Sequence, residues 1–246
     1  GGVYGKENAA SDGHPRTGDL MPIMTHMGAA APSATTAYRS GVFGPEFTDN
    51  LFVCYFNLRK ISRHELIPDG ATFRTRDSDF VTSDNPDFRP TDVLEDADGS
   101  LLIVDTGGWY KICCPTSQLA KPDVLGGIYR IRRTAAARVD DPRGKKLNWT
   151  ALDATGLSRL LSDPRPDVRE TAMFRLGQKG ATAVPVLTGL LNPATPEETR
   201  AAALWTLARI SGPEARSAAR SALNDRSPRV LRTALNVTSL WRDVEA

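Results

Sequence analysis

Two rhythms of apolar residues divide this chain. Between about residues 32 and 133 the apolar positions form runs of strand length or alternate with polar ones, and from 153 onward they return every three or four residues. In the first half, LFVCYF (51–56) is a continuous apolar run and KISRHELI (60–67) alternates as a half-exposed strand does, with His64 on its solvent side. Pro68-Asp69-Gly70 predicts a turn, after which ATFRTRDSDFV (71–81) returns as the next strand. TTAYR (35–39) reads as extended and Gly44-Pro45 as a loop. Asp98-Gly99, between Val93-Leu94 and Leu101 to Val104, is a hairpin signal. Gly107-Gly108 breaks the sheet before Trp109-Tyr110. The long segment KICCPTSQLAKPDVLG (111–126) then leads to an outer strand, Ile128 to Ile131. Such a length suits a functional or interface loop, or a cover over the sheet face.

The second half repeats itself. PDVRETAMFRLGQ (166–178), EETRAAALWTLAR (197–209) and PRVLRTALNVTSL (228–240) superpose with Ala172, Ala203 and Ala234 in register, a constant step of 31 residues. TGLSRLLSD, ATAVPVLTGLLN and EARSAARSALND supply a partner for each, with Leu160, Leu191 and Ala222 in the same step. A fixed period near 30 with two helices per unit is the signature of an α-solenoid, here like short HEAT repeats. Val168, Ala172 and Leu176 share one face, as do Thr199, Ala203 and Leu207, and the small alanines permit close helix approach. Trp205 and Trp241 read as packing residues. No acid/base pair, nucleophile or metal cluster stands out here, so this half reads as a spacer or docking surface.

The strands of the first half are short, antiparallel in pattern and separated by turns, which is how propeller blades read. They suffice for about two blades, so the chain reads as the end of a longer protein. The resulting fold class is mixed β plus α: a partial β-propeller over 1–134, a linker over 135–150, and an α-helical HEAT-repeat solenoid over 151–246.

Composition adds little to this and removes several alternatives. The chain is 40% apolar and 24% charged, and no apolar run approaches the ~18 residues of a membrane span. GGVYGKENAASDGHPRTGD at the start is polar and glycine-rich, unlike a signal peptide. Residues 1–134 hold 14 Lys and Arg against 17 Asp and Glu, and the remainder 17 against 12. The helical half is thus mildly basic, which is weak ground for an anionic partner and none for nucleic acid. Cys54, Cys113 and Cys114 form no zinc or haem spacing. Cys113-Cys114 is either a vicinal disulfide or a pair of thiols. The acidic run Glu95, Asp96, Asp98 lacks the ligand spacing of a calcium loop, and Asp92 and Asp105 read as turn caps.

At these residues the chain resembles a known family. Ala31-Pro32-Ser33, Asp49-Asn50-Leu51-Phe52-Val53, Arg89 ahead of Asp92-Val93, Asp98-Gly99-Ser100 and Gly127-Ile128-Tyr129-Arg130-Ile131 are similar to the last blades of soluble glucose/sorbosone dehydrogenase propellers, which are quinoproteins. More narrowly, PDGATFRTRDSDF, RPTDVLEDADGSLLIVDTGGW and CCPTSQLAKPDVLGGIYRIRR resemble the large "membrane-bound dehydrogenase" proteins of planctomycete-type bacteria, whose relatives include haem-binding proteins. Those join such a propeller to HEAT repeats.

What the resemblance implies is a six-bladed propeller in a periplasmic or secreted protein that oxidises a sugar or alcohol. Pyrroloquinoline quinone and calcium would be bound in the full-length protein, and electrons would pass to a haem c module outside this chain or to a cytochrome docked on the HEAT surface. Arg89 falls where the family holds a quinone carboxylate, and an arginine fork suits that group. Asn57 falls near a cofactor-contacting lysine of the relatives, so that a positive charge is replaced, with Arg59 or Lys60 as substitutes. His26, ahead of the Ala31-Pro32-Ser33 landmark, is the candidate proton acceptor. His14 carries no signal. The alternative function is a non-catalytic propeller and HEAT module that binds a glycan or a protein.

Overall fold

The structure, a computed structural model, describes residues 23–70, 72–108 and 121–246. Trp109, Tyr110, Cys113, Cys114, His14 and most of the 111–126 segment lie outside the described residues. Among those described, seven strands form two antiparallel sheets, followed by paired helices.

The first sheet takes its strands in chain order: β1 (Pro32–Ala37), β2 (Leu51–Tyr55), β3 (Lys60–Asp69) and β4 (Thr72–Thr82). Registers such as Val53 opposite Ser62 and His64 opposite Asp77 put Val53, Tyr55, Ser62, His64 and Asp77 on one face. Phe52, Cys54 and Ile61 occupy the other face and are buried with Tyr38, Phe43, Val93, Leu101 and Ile103 in one core. Aromatic rings fill that core: Tyr38 stacks on Phe43 at 4.8 Å, and Phe80 meets Phe52 edge-on at 4.7 Å.

The second sheet is β5 (Pro90–Glu95), β6 (Leu101–Asp105) and β7 (Gly127–Ile131), again in chain order. The Asp98-Gly99 hairpin forms as the sequence suggests. Gly99 has φ 78°, and a Cβ there would lie 2.4 Å from Val42, so both backbone conformation and packing require glycine. The Tyr38 hydroxyl donates to the Gly99 carbonyl at 2.7 Å, tying the hairpin to the first sheet. β5 packs against β1 and β2.

The helical half holds three pairs: α1 (Ala154–Arg159) with α2 (Pro166–Lys179), α3 (Val184–Leu190) with α4 (Glu197–Leu207), and α5 (Pro213–Ser221) with α6 (Pro228–Leu240). Ala172, Leu176, Ala203, Leu207, Val230 and Ala234 are buried in one continuous core, as the 31-residue step requires, and Val168 is buried as well. α4 lies between α2 and α6. A buried pair staples neighbouring repeats, Arg200 of α4 meeting Asp225 ahead of α6 at 2.9 Å. Trp241 packs as expected, with Arg216 5.4 Å above its ring. Trp205 does not: its residue is 37% exposed on the outer side of α4.

Charged contacts join the halves. Arg39 pairs with Glu170 of α2, Arg143 bridges Asp96 and Asp167, and Arg229 of α6 reaches Asp49 at 3.6 Å. Arg232 lies 5.8 Å above the Phe73 ring of β4.

Candidate functional site

Two sequence candidates, Arg89 and Asn57, lie at one end of the two sheets, where β2 ends and β1 and β5 begin, and His26 lies on the loop that leads there. Arg89 directly precedes β5, held there because its own N–H donates to Asp105 at 2.8 Å. Asp105 also accepts from the Gly107 N–H at 2.9 Å, the capping role its position suggested. The Arg89 side chain is half-buried, its guanidinium 5.6 Å over the Phe56 ring and donating to the Phe88 carbonyl. No carboxylate pairs with it among the described residues. Nearby Asp87 pairs instead with Lys121 at 2.7 Å.

Asn57 follows Phe56 and serves the loop beside it. Its amide nitrogen donates to the Ala29 carbonyl and its oxygen accepts from the Ala31 N–H, both at 2.7 Å. That clamp fixes the loop carrying His26, whose Nδ1 accepts a long bond from the Gly28 N–H at 3.4 Å. His26 itself is exposed. Of the substitutes for the missing lysine, Lys60 is engaged with Asp79 at 2.7 Å, and Arg59 sits in a turn at φ 55°.

His64 corrects the strand reading. It is 1% exposed rather than solvent-facing, packed between Tyr55 and Asp77 on a face that the Met24–Thr25 loop reaches, while the second sheet packs on the opposite face. Its Nδ1 lies 2.8 Å from Asp77 and its Nε2 3.1 Å from the Tyr55 hydroxyl, which assembles a Tyr55–His64–Asp77 chain. With Nδ1–H donating to the carboxylate, Nε2 accepts from the phenol. Thr25 of the His26 loop donates its hydroxyl to the other oxygen of Asp77. Burial would raise the Asp77 carboxyl, but bonds from Thr25, Thr75 and His64 outweigh it and hold it below its ordinary value. Burial, aided by the Asp77 charge, pushes the Tyr55 phenol up. The chain therefore rests as neutral phenol and ionised carboxylate, orienting the loop end from beneath. Strand alternation alone places these three residues on one face, which was the available signal for them.

Burial pushes the Cys54 thiol up to about 12, so it is an unreactive core residue. Asp96 and Asp98 bind arginines, Arg130 at 2.6 Å and Arg132 at 3.3 Å, and no group of three or more metal-ligating side chains occurs among the described residues.

Comparison with known proteins divides the chain where the fold does. Residues 155–239 match the family described as HEAT repeats. No curated protein and no solved structure matches the chain. Residues 8–135, just over half of the chain and containing both sheets, match a second family, and the chain therefore belongs to the family described as a domain of unknown function, DUF7133.

Proposed function

We propose that the two sheets are adjacent blades of a β-propeller, and that the chain is part of a periplasmic quinoprotein-type sugar or alcohol dehydrogenase-like protein with HEAT repeats. A haem c module outside this chain would take up the electrons. The blade reading is supported by strands that pair strictly in chain order and by β5, the first strand of one sheet, packing on β1 and β2 of the other. The observation that carries the functional reading is Arg89. It is half-buried, braced over Phe56, and has no carboxylate partner among the described residues, so its fork is available to an acidic, planar ligand.

The residues present fit a carboxylate but not a complete quinone site. Asn57 spends its amide on backbone groups, and the described residues contain no calcium cluster. This chain's share is therefore to bind and orient the acidic end of a ligand. The Asn57 clamp favours a second reading, in which the same end belongs to a non-catalytic module that binds a glycan or protein.

Titration of the full-length protein with pyrroloquinoline quinone and calcium separates the two. Saturable binding is expected, weakened by ~1.5–3 kcal/mol in Arg89→Ala, the worth of a hydrogen bond to a charged group. Arg89→Lys should restore only part, because a point charge lacks the planar fork. Absence of binding in the wild type discards the quinoprotein reading and leaves the binding module.

A further inference from the structure

The outer side of α2 and α4 carries large aromatic residues in the repeat period. Phe174 and Trp205 are one 31-residue step apart and are 57% and 37% exposed; the equivalent position on α6 is Asn236, and Leu240, one turn beyond it, is 69% exposed. Neither aromatic ring has an aromatic or cation–π partner among the described residues. Scattered apolar surface is ordinary, but apolar surface repeated at equivalent solenoid positions forms a ridge.

Charge says what the ridge accepts. Residues 171–180, 201–212 and 228–242, which carry it, contain no Asp or Glu but six Lys and Arg. Lys179, Arg209 and Arg242 have no ion pair among the described residues. The acidic residues of these helices are Asp167, Glu197 and Glu198 in the first turns and Glu170 just beyond the first turn of α2. There Asp167 and Glu170 face Arg143 and Arg39 of the linker and the sheet half, while Glu198 pairs with Arg229. The ridge thus continues, one turn further along, a helix layer already used for docking within the molecule.

Spacing says how the occupant is built. Packed helices stand about 8–10 Å apart, so equivalent side chains recur at that interval across the ridge. An extended strand returns a side chain to one face every ~7 Å, whereas a polyproline II helix does so every third residue, about 9 Å. We propose that the α2–α4–α6 ridge binds an acidic, proline-rich protein segment in polyproline II conformation, with an apolar anchor at every third residue. Phe174 and Trp205 receive successive anchors, and Lys179 and Arg209 pair with carboxylates between them. This site rests on the HEAT repeats and is independent of the Arg89 reading.

The test uses the whole chain and a labelled twelve-residue peptide of four Leu-Pro-Glu triplets, with binding followed by fluorescence anisotropy. Saturable binding is expected, weakened at least tenfold by Trp205→Ala or by Phe174→Ala. Both side chains are exposed, and an unchanged circular dichroism spectrum verifies the fold. Raising salt from ~0.05 to ~0.5 M should weaken binding several-fold, since screening shortens the reach of the basic residues. A Leu-Pro-Lys peptide should fail, and Lys179→Glu with Arg209→Glu should reverse that preference. Absent binding, equal binding of the Lys peptide, or indifference to Trp205→Ala overturns the proposal. Equal binding of a flexible Leu-Gly-Glu peptide overturns the polyproline II geometry. Self-association of the chain that Trp205→Ala abolishes assigns the ridge to a second copy and overturns it as well.

Discussion

At the scale of single residues, the strongest commitments are buried charges and polar chains. Arg200 and Asp225 are both nearly enclosed, and the Asp225 carboxylate also accepts the Ser227 N–H at 2.8 Å. Burial would raise the Asp225 carboxyl, yet the Ser227 and Arg200 contacts outweigh it and hold it below its ordinary value. A carboxyl depressed in the folded state stabilises fully above its unfolded value near ~4, and the contribution is lost as pH falls through the folded value. Asp225→Asn should therefore cost ~3–5 kcal/mol at neutral pH, the usual range for breaking a buried pair, and the gap from wild type should close as urea melts are taken to acid pH, below the ordinary carboxylate range. A pH-independent gap would show that the charge is not the cause. None of this was legible in the sequence, because the pair spans 25 positions and neither residue breaks the helical pattern. His64 was misread for a related reason: alternation separates the two faces of one sheet but does not say that a distant loop, here the one carrying Thr25, reaches the polar one.

At the scale of elements the sequence was far more informative. The strands at 51–55 and 101–105, the hairpin at Asp98-Gly99 and all three helices of the 31-residue alignment lie within a few residues of where apolar spacing and turn chemistry put them. Local signals sufficed because each element meets its neighbour in the chain. Trp205 escaped that logic, since spacing identifies a helix position but not whether a further layer lies over it. The same locality predicts that residues 150–246, expressed alone, give a strongly helical circular dichroism spectrum and a cooperative melt, their core being confined to the repeats. A β-rich or unfolded spectrum would contradict a self-sufficient solenoid.

At the scale of the whole molecule, the halves meet through exposed charges rather than a shared apolar core. The two buried clusters are separate, and Arg39–Glu170, Arg143–Asp167 and Arg229–Asp49 cross between them. Exposed pairs are worth about 0–1 kcal/mol each and weaken as salt screens them. Calorimetry should therefore find one transition at ~0.05 M salt that separates into two at ~0.5 M, with Glu170→Ala and Arg143→Ala together producing the split at low salt. A single transition under all these conditions would place the coupling elsewhere. The halves were legible in sequence from the change of period at residue 153; their latch was not, because it pairs residues as far apart as Asp49 and Arg229.

The order of pairing has a consequence for synthesis. Every strand described here pairs with the one just before or after it, and each helix pair stacks on the preceding pair. Little chain must be held in reserve before the next strand or helix pairing closes, so loop-closure entropy is small at most of these steps. As the polypeptide leaves the ribosome, each hairpin and each repeat can settle on a template already in place. The aromatic core around Tyr38 would be sheltered soon after β6 emerges, while the solenoid is still being translated.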